Sequence, residues 1–108
     1  MSVKVEVTIY VPTADNKKVR FSRSHHRAFE DKLTGLFEGH TREPETCTGE
    51  WNDLSRGVIH QDQMSRYIVS VDGMLGASKA LRAIVAYVKK HYSQKLVYCR
   101  YFGIAELL

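Results

Sequence analysis

Between Val3 and Val11 every second residue is a branched aliphatic: Val3, Val5, Val7, Ile9 and Val11 alternate with Lys4, Glu6, Thr8 and Tyr10. A period of two puts all the aliphatics on one side of an extended chain. The segment therefore predicts a strand with one strongly apolar face. Pro12 ends it, because proline has no N–H to give to a ladder. Ala14-Asp15-Asn16-Lys17-Lys18 reads as a polar loop.

The period then changes. Phe29, Leu33, Leu36 and Phe37 sit at i, i+4, i+7 and i+8, one stripe of a helix. Ser22 or Ser24 is placed to cap its start, and Gly39 to close its end in a left-handed conformation. Gly35 costs about 1 kcal/mol against alanine inside a helix, and its missing side chain suggests close packing against a sheet. Two strands are expected next. Thr46 to Asp53 puts Cys47, Gly49 and Trp51 on one face and Thr46, Thr48 and Glu50 on the other. Leu54-Ser55-Arg56-Gly57 makes a turn, and the return strand runs from Val58 to Val71.

A second helix is written in Leu81, Ile84, Val85, Val88 and Tyr92, with Lys79, Arg82, Lys89 and Lys90 on its other faces. Lys89, Lys90 and His91 fall in its last turn, where positive charge suits the helix dipole. A last strand is expected from about Lys95 to Phe102, with Gly103 as a bulge and Ile104 to Leu108 as an extension or tail. Core positions expected from these phases are Val5, Val7, Phe29, Leu33, Val69, Ile84, Val85 and Val88.

The 108 residues are one domain's worth, 1–108. At 44% hydrophobic and 26% charged the composition is that of a globular chain able to bury a core. No apolar run reaches the ~18 residues that span a bilayer. The start lacks the basic, then continuously apolar, pattern of a signal peptide. A cytoplasmic protein without membrane association is expected.

The element order is β-α-β-β-α-β. Two interlocked right-handed crossovers then give an α+β sandwich, a four-stranded antiparallel sheet of spatial order 4-1-3-2 with two helices on one face. This pattern resembles the small ferredoxin-like proteins, and among them the CutA and nitrogen-regulatory PII modules. It is also similar to short bacterial proteins whose second strand carries Gly-x-Trp, here Gly49-Glu50-Trp51. The resemblance covers nearly the whole chain at the level of element order. It implies the fold and assembly into dimers or trimers, and it transfers no functional residue. In that strand order Cys47 and Cys99 lie about 14 Å apart at ~4.8 Å per strand. A bridge needs Cα atoms within about 7 Å, so no disulfide is expected.

No catalytic, cofactor or metal motif stands out, and neither a cofactor nor a resident metal is expected. His25 and His26 are adjacent, so on a helix they point about 100° apart. His60 and Asp62 share a strand face, and Glu50 is placed to meet them across the hairpin. Glu50, His60 and Asp62 are therefore the candidate polar site. Three or four ligands at fixed distances are needed for a transition metal, and only two of these are secure neighbours. For acid–base or nucleophilic chemistry the candidates are Asp62, His60, Tyr67 and Cys99.

The net charge of +4 permits nucleic-acid binding without requiring it. RNA-recognition domains share the element order but carry a glycine and interleaved aromatics in their third strand. Here the corresponding stretch is Gln63-Met64-Ser65-Arg66-Tyr67-Ile68-Val69. The densest basic group, Lys17, Lys18, Arg20, Arg23 and Arg27, reads as a solvated face near the first helix.

Helices cover one sheet face and leave the other to water or a partner. Alternation puts Thr8, Tyr10 and Ile68 there, with Tyr98 and Phe102 or else Tyr101. Aromatics grouped on a surface mark interfaces. Tyr10, Ile68, Tyr98 and Phe102 are the interface candidates. The expectation is a homo-oligomeric, non-catalytic module for ligand sensing or protein interaction, with a small-molecule ligand held at the subunit boundary. The alternatives are a nucleic-acid-binding protein and a small enzyme with an intersubunit active site.

Overall fold

A computed structural model describes residues 4–72, 74–101 and 104–107, with side chains described for 4–71 and 79–100. In chain order the elements are β1 (Lys4–Pro12), α1 (Arg23–Phe37), β2 (Thr41–Arg42), β3 (Cys47–Asp53), β4 (Val58–Asp72), α2 (Met74–His91), β5 (Tyr98–Tyr101) and β6 (Ile104–Leu107). The sheet runs β2-β4-β1-β5-β6, with β3 also paired to β4. Every pairing is antiparallel.

The α+β, ferredoxin-like class holds, and the expected 4-1-3-2 order is present as β5-β1-β4-β3. The sheet, however, has six strands among the described residues, not four. β2 is two residues long, too short to show a period, and takes the stretch of the β4 edge at Tyr67 and Ile68 next to that used by β3. The expected tail pairs with β5 as β6, Ile104 opposite Tyr101 and Leu107 opposite Tyr98. The last strand begins at Tyr98, not Lys95. Gly103 and Phe102 lie outside the described residues.

The core joins both helices to one sheet face. Val7, Ile9, Val11, Tyr67, Val69, Val71, Val97 and Cys99 meet Phe29 and Leu33 of α1 and Ile84, Val85 and Val88 of α2, all buried. Val5, expected inside, is only partly buried and packs against this cluster. α1 starts as expected at Ser22, whose Oγ accepts the His25 N–H at 3.1 Å. It ends one residue earlier than expected: Glu38, not Gly39, takes the left-handed conformation, φ 67°. Gly35 faces open space, so it is not a close-packing position. Cys47 and Cys99 both remain thiols, on strands separated by β4 and β1. Among the described residues no helix is long and apolar enough to cross a membrane.

β4 outruns β1. Residues 64–72 pair with β1, whereas 58–63 ladder with β3 and meet, on their other edge and among the described residues, only Thr13 and the Lys18 ammonium, which donate to the carbonyls of Gln63 and Gln61. At about 3.4 Å per residue the hairpin extends roughly 20 Å past the β1 ladder, consistent with a molecule 49 Å long and 24 Å thin.

Candidate functional site

The hairpin is set by its turn. Gly57, at φ 66°, occupies a left-handed position that β-carbon-bearing residues avoid. Its N–H donates to the Asp53 carbonyl at 2.8 Å. The Asp53 carboxylate accepts Ser55 Oγ–H at 2.7 Å, and this bond holds it below the usual carboxylate range. The resulting register places Trp51 opposite His60, Gly49 opposite Asp62 and Glu50 opposite Gln61.

Trp51, His60 and Asp62 thus share one face. The Trp51 and His60 rings stack at 4.3 Å and 17°. Trp51 Nε1–H donates to Asp62 Oδ2 at 3.3 Å. His60 Nε2 lies 3.8 Å from Asp53 Oδ2 and Lys18 Nζ 3.9 Å from Asp62 Oδ1. Gly49 keeps the strand clear beside them: a Cβ there would come within 3.1 Å of the Met64 methyl. Glu50 does not join this group. Strand alternation turns it to the other face, where Gln61 Nε2–H donates to its Oε1 at 2.5 Å. Of the three expected site residues the structure brings together His60 and Asp62, and Trp51 takes the place assigned to Glu50. Its strand parity with Gly49 was legible in the sequence, but the register that sets Trp51 beside His60 was not. Despite its stacking partner Trp51 remains 53% exposed.

The same sheet face continues onto the central strands. Thr8 pairs with Ile68 and Tyr10 with Arg66. Tyr10 and Tyr98 pack edge to face, centroids 5.0 Å apart. A bond to Tyr10 raises the pKa of Arg100, and Arg66 pairs with Glu43 at 3.2 Å. Tyr10, Ile68 and Tyr98 therefore lie on the helix-free face, each partly exposed. The fourth interface candidate, Phe102, is outside the described residues.

A second polar cluster, not foreseen from sequence, lies under α1. Glu30 is buried and accepts both Arg23 guanidinium nitrogens, at 2.6 and 2.9 Å, and Tyr67 Oη–H at 2.7 Å. Burial opposes its ionisation, but the bonds from Arg23 and Tyr67 outweigh that and bring the carboxyl down to about 2. Burial pushes the Tyr67 hydroxyl well above its usual value. Tyr67 is thus a core residue on the helix side, separated by the sheet from His60 and Asp62. Cys99 is likewise buried.

His25, His26 and His91 tie the start of α1 to the end of α2. His25 Nε2 donates to the His91 carbonyl and His91 Nε2 to the His25 carbonyl, both at 2.7 Å, with the rings stacked at 3.7 Å. His26 Nδ1 meets Tyr92 Oη at 2.8 Å. No three His, Cys, Asp or Glu side chains converge among the described residues. Desolvation, then the neighbouring His25, lowers the His26 pKa. The folded protein therefore binds this proton less readily than the unfolded chain. Stability is full above the ordinary histidine pKa of about 6.5 and falls as pH drops through the lower folded value. Urea midpoints at pH 7.5 and 5.5 are expected to differ, and His26→Gln to flatten the difference. An unchanged pH slope in His26→Gln would contradict this assignment.

No family model matches the sequence, and no curated protein matches it. Solved structures do match in fold. A phage SAM lyase in complex with S-methyl-5'-thioadenosine superposes with a TM-score of 0.72 at 10% identity, covering 100% of this chain and 89% of the other. The divalent cation tolerance protein CutA1 of Thermus thermophilus gives 0.61 at 18% identity, covering 96% and 86%. CutA of Synechococcus elongatus gives 0.54 at 12%, covering 98% and 83%. The chain has the CutA-like, ferredoxin-like fold.

Proposed function

We propose that the protein is a homo-oligomeric module that holds an S-adenosylmethionine-type ligand at a subunit boundary formed by the hairpin. The observation that carries the reading is the arm itself. Trp51, Leu54 and Val58 are 53, 85 and 45% exposed on a hairpin that runs past its own core, Trp51 and Val58 on the helix-free face and Leu54 at the tip. Apolar side chains grouped this way mark an association surface. The helix-free face with Tyr10, Ile68 and Tyr98 continues from it, so one neighbouring subunit would cover both.

The ligand class is suggested by the phage enzyme's bound thioether and supported by the chemistry of the arm. A sulfonium is a cation without hydrogen-bond donors. It is recognised by an aromatic face and a carboxylate, and Trp51 with Asp62 offers both. Binding of S-adenosylmethionine is expected to weaken about tenfold in Trp51→Ala, the scale of a partly desolvated cation–π contact. Asp62→Asn keeps the acceptor for the indole N–H but removes the charge. It should weaken the sulfonium and leave the neutral S-methyl-5'-thioadenosine unaffected. Titration calorimetry with both ligands tests this, and equal losses for the two would contradict the charge-recognition role of Asp62.

A second reading, an enzyme cleaving the same ligand, is favoured by the likeness to the phage lyase over the whole chain. In such a step the carbon–sulfur bond to the amino-acid arm breaks and its electron pair goes to sulfur. The arm's own carboxylate oxygen closes onto the carbon, which gives a neutral thioether and a lactone. Positive charge disappears from sulfur along that path. Trp51 and Asp62 would then hold the ground state more tightly than the transition state, which favours binding over turnover. Product analysis after incubation with S-adenosylmethionine separates the readings: free S-methyl-5'-thioadenosine supports the enzyme, and retained intact ligand supports the binding module.

A further inference from the structure

The chain's positive charge is gathered in one stretch. Residues 73–100 contain six Lys and Arg and no Asp or Glu, while the rest of the chain has ten against twelve. Four of the six, Lys79, Arg82, Lys89 and Lys90, are on α2. At about 100° per residue they fall within an arc of about 100°, opposite the stripe of Ile84, Val85 and Val88 that enters the core. Lys79, Arg82 and Lys90 are exposed and Lys89 is partly so. Lys79 to Lys90 spans about 16 Å of helix, and the exposed Lys95 follows just beyond.

Several cations elsewhere are paired, Arg23 with Glu30, Arg27 with Asp31, Arg56 with Asp53 and Arg66 with Glu43, and those that are not, such as Lys17, Arg20 and Lys32, do not line one helix face. None of the four on α2 has a carboxylate within ion-pair distance among the described residues. The helix dipole accounts for Lys89 and Lys90 in the last turn but not for Lys79 and Arg82, two or more turns upstream. An unneutralised row of this kind is held apart by self-repulsion and gains most from a polyanion.

We infer that this face of α2 binds the phosphate backbone of duplex nucleic acid without reading sequence. Phosphates offer a regular line of charge, about one per 3.4 Å of rise on each strand, which suits four cations along one helix better than a single small anion does. The outward positions between them are Ala83 and Ala86, which provide no side chain able to read base edges. They provide no apolar anchor for a membrane either. An interfacial helix inserts its apolar face, and here that face is occupied by the core.

The test is fluorescence anisotropy of a labelled duplex of about 24 base pairs with the full chain over a range of KCl. Four contacts predict a slope of log K against log salt of about −3 to −4. Lys79→Gln, Arg82→Gln and Lys90→Gln together should weaken binding at about 100 mM KCl at least tenfold and reduce the slope by about two to three. The charge-matched control Lys17→Gln, Arg20→Gln and Lys32→Gln should change binding much less. All six positions are exposed, and circular dichroism melts confirm that both triples fold. Equal losses in the two triples would overturn the inference, as would no duplex binding at about 50 mM KCl. Binding to phosphatidylserine vesicles but not to duplex would overturn it too, and assign the face to a membrane surface instead.

Discussion

Leu33→Ala and Ile84→Ala are each expected to lower unfolding free energy by about 2–5 kcal/mol, the range for truncating a fully buried aliphatic. Both side chains are completely enclosed, one from each helix, at the seam where α1 and α2 rest on the sheet. The cost has two parts, lost transfer energy and a cavity that neighbours fill only in part. Phe29 and Tyr67 beside Leu33 are large rings packed edge to face at 5.0 Å, and rings so fixed collapse poorly into a void. Urea melts followed by circular dichroism give the value. A loss below about 1 kcal/mol for either variant would mean that the helix phase is wrong.

Glu30→Leu is expected to cost about 1–3 kcal/mol, chiefly because it strands the Tyr67 hydroxyl inside the core without an acceptor. Arg23 contributes less, since its side chain is 57% exposed and can turn to water. Tyr67→Phe removes the stranded donor, so the double variant should be more stable than the sum of the single losses implies. Strict additivity would show that the carboxylate and the phenol are not coupled. The pH dependence has a definite sign. Glu30 is held at about 2 when folded, against an ordinary value near 4.3. The stability it supplies is complete above the ordinary value and is lost as pH falls toward about 2. The loss assigned to His26 begins at higher pH, below about 6.5, so acid titration of the wild type should show stability declining before Glu30 begins to protonate.

Elements with long regular periods were readable in the sequence. β1 declares its core face by alternation, and Ile84, Val85 and Val88 declare the phase of α2. β2 was not readable, because Thr41 and Arg42 become a strand only through their bonds to β4. Glu30 was hidden for a different reason. A glutamate beside Phe29 reads as the edge of the apolar stripe, and only the tertiary approach of Tyr67 and Arg23 makes its burial tolerable. At the hairpin, His60 and Asp62 followed from period two. The pairing of Glu50 was misjudged because register across a hairpin depends on the turn. With Gly57 taking the left-handed position, Glu50 faces Gln61 and Trp51 faces His60. One residue of register moves a side chain to the opposite face.

If the arm and the helix-free face form a boundary between copies of this chain, with the ligand held there, assembly and ligand retention must appear together. Native mass spectrometry of the full chain at micromolar concentration, with and without S-adenosylmethionine, tests both halves in one spectrum. The expected result is a mass two or three times 12.4 kDa, and a ligand-bound series on that assembly. A species at 12.4 kDa that persists as the sample is concentrated, with or without ligand, would contradict the proposed boundary.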